Sequence, residues 1–140
     1  MVGGQVLDTV YDVEDAEGLT LLNRLKTCAM ISAAAELGCV AAGMDAEKCR
    51  QAREFSDGLG LAFQLRDDIL DVTSTEEELG KPIHSDEKNQ KQTYVTLRGL
   101  ESAAEDVERI SEEALELLDT FPQKNEFLRE LIGYLVNRRN

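Results

Sequence analysis

Aromatic residues make up only 5 % of this 140-residue sequence, and no stretch shows sustained alternation of apolar and polar residues. Strands draw on aromatic and β-branched residues at period two, so a β-sheet is excluded as the organising element. Bases are scarce as well: 15 Lys and Arg stand against 28 acids, for a net charge of −13. That balance leaves no basic footprint for nucleic acid or for an anionic membrane surface. The three cysteines, Cys28, Cys39 and Cys49, are odd in number and never form C-x-x-C. Neither a disulfide framework nor a zinc ribbon fits them, and a reducing, cytoplasmic setting is expected. The most apolar run, TCAMISAAAELGCVAAG, is broken by Glu36 and is mostly alanine, which predicts a buried helix and no stable membrane insertion. No charged leader followed by an apolar core opens the chain, so no signal peptide is expected.

What the sequence does contain is helical spacing. Leu19 to Gly43 predicts a first long helix, with Gly38 and Gly43 loosening or ending it. A second is predicted from near Asp45 to about Val72. The stretch ELGKPIHSDEKNQKQT reads as loop, from Gly80, Pro82 and its charge density. Leu97, Leu100, Ala104, Val107, Ile110, Ala114, Leu117 and Phe121 keep three-or-four spacing in a third helix, which Pro122 stops. Phe127, Leu128, Leu131, Ile132 and Leu135 mark a last one. The expected fold is therefore all-α, a single unit over residues 1–140. The acids opposite the third helix's apolar stripe, Glu101, Glu105, Asp106, Glu108, Glu112, Glu113, Glu116 and Asp119, are read as a solvated outer face.

Within the second helix the run FQLRDDILD puts Asp67, Asp68 and Asp71 on an otherwise apolar segment. At about 100° per residue, Gly60, Gln64, Asp67 and Asp71 share one narrow strip, with Asp68 at its edge. Carboxylates at i, i+3 and i, i+4 repel by a few tenths of a kcal/mol when exposed, roughly, and by more where water is excluded. No base at i±4 relieves them, so a cation must compensate or one carboxyl must hold a proton. An all-oxygen set suits a hard ion, above all Mg²⁺, which is usually held by a few carboxylates together with waters and phosphates. Three simply solvated aspartates are the plain alternative. An EF-hand is not, because its alternating oxygen ligands, central Gly and terminal Glu are missing. A bound diphosphate would ask for lysines in addition, and Lys26, Lys81 and Lys91 are the candidates.

FQLRDDILD, the Gly80-Lys81 that follows it and the K-x-T-Y at Lys91 to Tyr94 together resemble the C-terminal half of the trans-isoprenyl (polyprenyl) diphosphate synthases. The resemblance is close to the bacterial farnesyl and geranylgeranyl diphosphate synthase type. Gly3-Gly4-Gln5 with Asp8, and Leu25-Lys26-Thr27, agree in order, so the resemblance runs over essentially the whole chain. It implies the C-terminal part of the isoprenoid-synthase helical bundle and a magnesium-dependent condensation of an allylic diphosphate with isopentenyl diphosphate. Carried onto this sequence, Asp67, Asp68 and Asp71 become metal ligands, directly or through water. Lys26 and Lys81 would hold the allylic diphosphate, with Lys91 beside them. Thr27 and Gln64 line the same site, and Phe63 packs near the prenyl groups. Arg138-Arg139-Asn140 resembles the family's tail, which closes over the isopentenyl diphosphate site. Relatives are commonly homodimers, so that pairing is among the expectations.

The sequence also departs from the family. His84 stands where a Gly is common after the GK pair, and is read as a loop residue facing water; Val95 stands where a Pro is common. No first aspartate-rich motif precedes Asp67, and MVGGQVLDTV reads as the interior of a helix already under way. The chain is thus expected to be a portion of a synthase that turns over no substrate alone and leaves inner helix faces uncovered. A non-catalytic synthase-like subunit and an acidic helical interaction module are the alternatives.

Overall fold

The computed structural model describes residues 1–11, 13–75, 92–122 and 125–138. Among them there is no strand, and the all-α expectation holds. Helix α1 spans Val2–Val10. A continuous helical course then runs from Ala16 to Ala41, as α2 (Ala16–Asn23), a five-residue π-helical turn (Arg24–Cys28) and α3 (Ala29–Ala41). Helix α4, the longest, is Ala46–Thr73. Helices α5 (Tyr94–Arg98), α6 (Leu100–Asp119) and α7 (Glu126–Asn137) complete the set.

The ends of these helices follow from local chemistry. The Asp15 carboxylate accepts from the Gly18 N–H at 2.7 Å, and that of Asp45 from the Lys48 N–H at 2.8 Å, starting α2 and α4. Gly43, at φ +69°, turns the chain out of α3 through a conformation that side chains disfavour. Gly99, at φ +86°, does the same between α5 and α6, so the single third helix expected from Leu97 onward is interrupted there. The side-chain period alone could not register that break, because Leu97 and Leu100 keep helical spacing across it.

Helix α4 is the axis, packed against α3 on one side and α6 on another. Leu61, Ala62, Leu65 and Ile69 form one core with Cys28, Ala103, Val107 and Ile110. Phe55 and Leu59 form a second with Ala114, Leu118 and Ile132 of α7. The pairing of early α4 with late α6, and of late α4 with early α6, makes the two antiparallel. Several helices keep large apolar side chains in the open: α1 exposes Val2, Val6 and Val10, α3 exposes Met30, Leu37 and Val40, and α7 exposes Phe127 and Tyr134. No helix among the described residues is long and apolar enough to cross a membrane.

Candidate functional site

The π turn is held from two sides by glycines. A Cβ on Gly4 of α1 would lie 2.3 Å from the Lys26 backbone nitrogen, and one on Gly60 of α4 would lie 2.9 Å from Cys28 Sγ. Only bare backbone permits either approach. Two packed neighbours thus fix the turn that carries Lys26 and Thr27. A π-helical turn widens the helix by one residue, and such turns are frequent at functional sites.

The strip read from the α4 sequence lies along this turn. Gly60 meets Cys28, and one helical turn later Thr27 Oγ1 donates to Gln64 Oε1 at 3.2 Å. Asp67 follows on the same strip. Lys26 is half-buried, its ammonium 2.8 Å from Asp8 Oδ2 of α1. The structure thereby brings Lys26, Thr27, Gln64 and Asp67 to one corner, and α1 adds Asp8, which the sequence offered only as part of a motif. Cys28 at the same corner is fully buried. Burial, reinforced by the nearby Asp57 carboxylate and opposed by Arg24, pushes its thiol up to about 12, so it acts as packing and not as a nucleophile.

The three aspartates have different surroundings. Asp68 and Asp71 are buried, and Asp67 is about one third exposed. Asp67 Oδ1 lies 3.0 Å from an Arg138 guanidinium nitrogen, and the same guanidinium stacks over the Phe63 ring at 4.2 Å. Arg66 donates twice to the Arg138 carbonyl, at 2.9 and 3.2 Å. Burial, with the neighbouring Arg138 charge, holds the Arg66 pKa below its ordinary value. A base therefore does reach the aspartate strip, from 71 residues away in sequence, where local spacing could not reveal it. Asp68 turns toward α5 and accepts from the Tyr94 N–H at 2.9 Å. Val95, next along, stands in the first turn of α5, a place that also accepts proline. Lys81, His84, Lys91, Arg139 and Asn140 lie outside the described residues.

Hard carboxylate oxygens from one helix are the donor type magnesium takes. Among the described residues no three acids, histidines or cysteines close round a point. That arrangement fits an ion held by one or two carboxylates and completed by water and phosphate oxygens, and not one caged by protein alone. An apolar cavity of about 350 Å³ lies elsewhere, bordered by Cys39, Phe55, Leu118 and Leu131, and it shares no residue with this corner.

Comparison with known proteins places the chain in a family. The chain is 37 % identical to the geranylgeranyl diphosphate synthase of Cyanophora paradoxa, over all of this chain and 48 % of that one. It is 42 % identical to the farnesyl diphosphate synthase of Geobacillus stearothermophilus, over 75 % of this chain and 36 % of that one. It superposes on the Helicobacter pylori geranyltransferase, solved with magnesium and isoprenyl diphosphate, with a TM-score of 0.74 at 35 % identity, over 98 % of this chain and 46 % of that one. The chain spans about half the length of the first of these relatives or less. The family model for polyprenyl synthetase matches residues 1–134, and the chain belongs to that family.

Proposed function

We propose that this chain supplies the diphosphate-binding part of a magnesium-dependent trans-prenyltransferase that joins an allylic diphosphate to isopentenyl diphosphate. On this reading residues 1–140 form the C-terminal portion of the synthase domain. The observation that carries it is the corner where the glycine-clamped Lys26–Thr27 turn meets Gln64 and Asp67, tied by the 3.2 Å Thr27–Gln64 hydrogen bond. Asp67, Asp68 and Asp71 would hold the metal, directly or through water; when bound it would neutralise the diphosphate and favour its departure. Lys26 would turn from Asp8 to a phosphate oxygen, with Thr27 and Gln64 alongside it, and Lys81 and Lys91 would add charge. Phe63 would border the prenyl chain. Loss of diphosphate leaves an allylic cation, which the isopentenyl double bond attacks before a proton is shed. Fixed positive charge at the leaving group is the main catalytic contribution. The exposed faces of α1 and α3 support the view that further helices complete the site.

Calorimetric titration with inorganic pyrophosphate tests the reading. Binding is expected with Mg²⁺ present and not with Mg²⁺ chelated, and Asp67→Ala should weaken it. Pyrophosphate binding that ignores magnesium, or no binding at all, refutes the assignment and favours an acidic interaction module. Formation of a longer prenyl diphosphate by the 140-residue chain alone would refute the view that it is one part of a larger site.

A further inference from the structure

Of the eight acids along the outer face of α6, seven are exposed and one is not. Asp106 has a side chain only 14 % exposed. Its Oδ2 accepts from the Tyr94 hydroxyl at 2.7 Å, and its Oδ1 lies 2.6 Å from an Arg109 nitrogen. Arg109 also reaches Glu113 at 3.0 Å, and Arg98 approaches Asp106 at 3.9 Å. The expectation of a uniformly solvated acidic face fails at this one position, because the first residue of α5 reaches back to it.

Tyr94 has a second connection. Its phenol is anchored on α6 while its backbone N–H donates to Asp68 of α4 at 2.9 Å. The start of α5 is rigid, since Thr93 and Thr96 exchange hydrogen bonds of 3.2 and 2.9 Å in a reciprocal cap. The phenol's anchor on α6 and the amide's bond to Asp68 thus both act on one capped turn. We infer that Asp106 and Tyr94 are positioning residues for Asp68: the α6 carboxylate fixes the phenol, the phenol fixes the first turn of α5, and that turn's N–H orients the buried Asp68 carboxylate. Neither Asp106 nor Tyr94 needs to touch metal or substrate. Partners of this kind behind a metal-ligating carboxylate typically carry about 10- to 100-fold in metal affinity. The inference rests on the proposed role of Asp68 as a ligand.

Two measurements on the full chain test it. Amide hydrogen exchange at Tyr94 should quicken at least about tenfold in Asp106→Ala and Tyr94→Phe. It should stay near the wild-type rate in Asp106→Asn, whose amide oxygen still accepts from the phenol. Titration with Mn²⁺ and inorganic pyrophosphate, read by the spin-resonance signal of free Mn²⁺, should show affinity about 10- to 100-fold weaker in Asp106→Ala. Asp106→Asn should restore most of it. Unchanged exchange at Tyr94 in Asp106→Ala overturns the inference, as does unchanged affinity there when the wild type binds. Should the wild type bind no Mn²⁺–pyrophosphate, the ligand role of Asp68 fails, and the inferred positioning of a metal ligand fails with it. The exchange rates then report only whether Asp106 holds Tyr94.

Discussion

Two alanine substitutions in helical glycines should have opposite signs. In an exposed helix interior, Gly→Ala stabilises by about 1 kcal/mol through backbone entropy. Gly38 is such a site, since a Cβ there meets nothing within 4 Å. Gly60 gains the same entropy, but its Cβ would lie 2.9, 3.1 and 3.2 Å from Sγ, Cα and Cβ of the fully buried Cys28. One of those atoms is backbone, so no rotamer change relieves the clash. Overpacking of this kind costs about 1–3 kcal/mol, and a contact with fixed backbone belongs at the upper end. The net for Gly60→Ala is then a loss of about 2 kcal/mol. At about 3–4 °C per kcal/mol for a chain of this size, Gly60→Ala should melt about 7 °C lower and Gly38→Ala about 3 °C higher. Thermal denaturation followed by circular dichroism gives both midpoints, and movement in the same direction would refute the reasoning. Cys28→Ala in the Gly60→Ala background removes the nearest atom and should recover part of the loss, a coupling expected only of residues in contact.

Asp106 predicts an acid-side signature. The Arg109 hydrogen bond, helped by Tyr94, holds its carboxyl below the usual aspartate range. The unfolded chain therefore takes up the proton first, and the stabilisation is complete above about pH 4 and is lost as pH falls through the folded value. The stability gap between wild type and Asp106→Asn should be constant from pH 5 to 7, roughly, and shrink below about pH 4; a gap that persists to low pH contradicts the pairing. Alkylation should rank the cysteines: Cys39, half-buried, reacts first in the native protein, while the fully buried Cys28 is modified only on unfolding. Mass-spectrometric mapping that finds Cys28 labelled as fast as Cys39 would overturn the packing described around Gly60.

The helices were legible in the sequence because their signals are local: Asp45 caps α4, Gly43 ends α3, and the apolar repeat of α6 continues to Asp119. The aspartate strip was legible for the same reason, since one helix places Gln64, Asp67 and Asp71 on a common line. Invisible were the features that join distant segments. Arg138 reaching Asp67, Asp8 reaching Lys26, and Tyr94 spanning Asp68 and Asp106 have no spacing rule to announce them. The Gly99 break was missed although a glycine was in view, because apolar periodicity runs unbroken through it.

Asp8 of α1 and Arg138 after α7 are far apart in sequence, yet each faces one side of the same corner. Lys26 is balanced by the one and Asp67 by the other, so the charge of the site is set in part by segments far from it in sequence. Neutralising Asp8 or Arg138 would alter the potential at Lys26 or Asp67 without altering either residue. For this molecule, the potential at the site is a property of segments that contribute none of its proposed ligands.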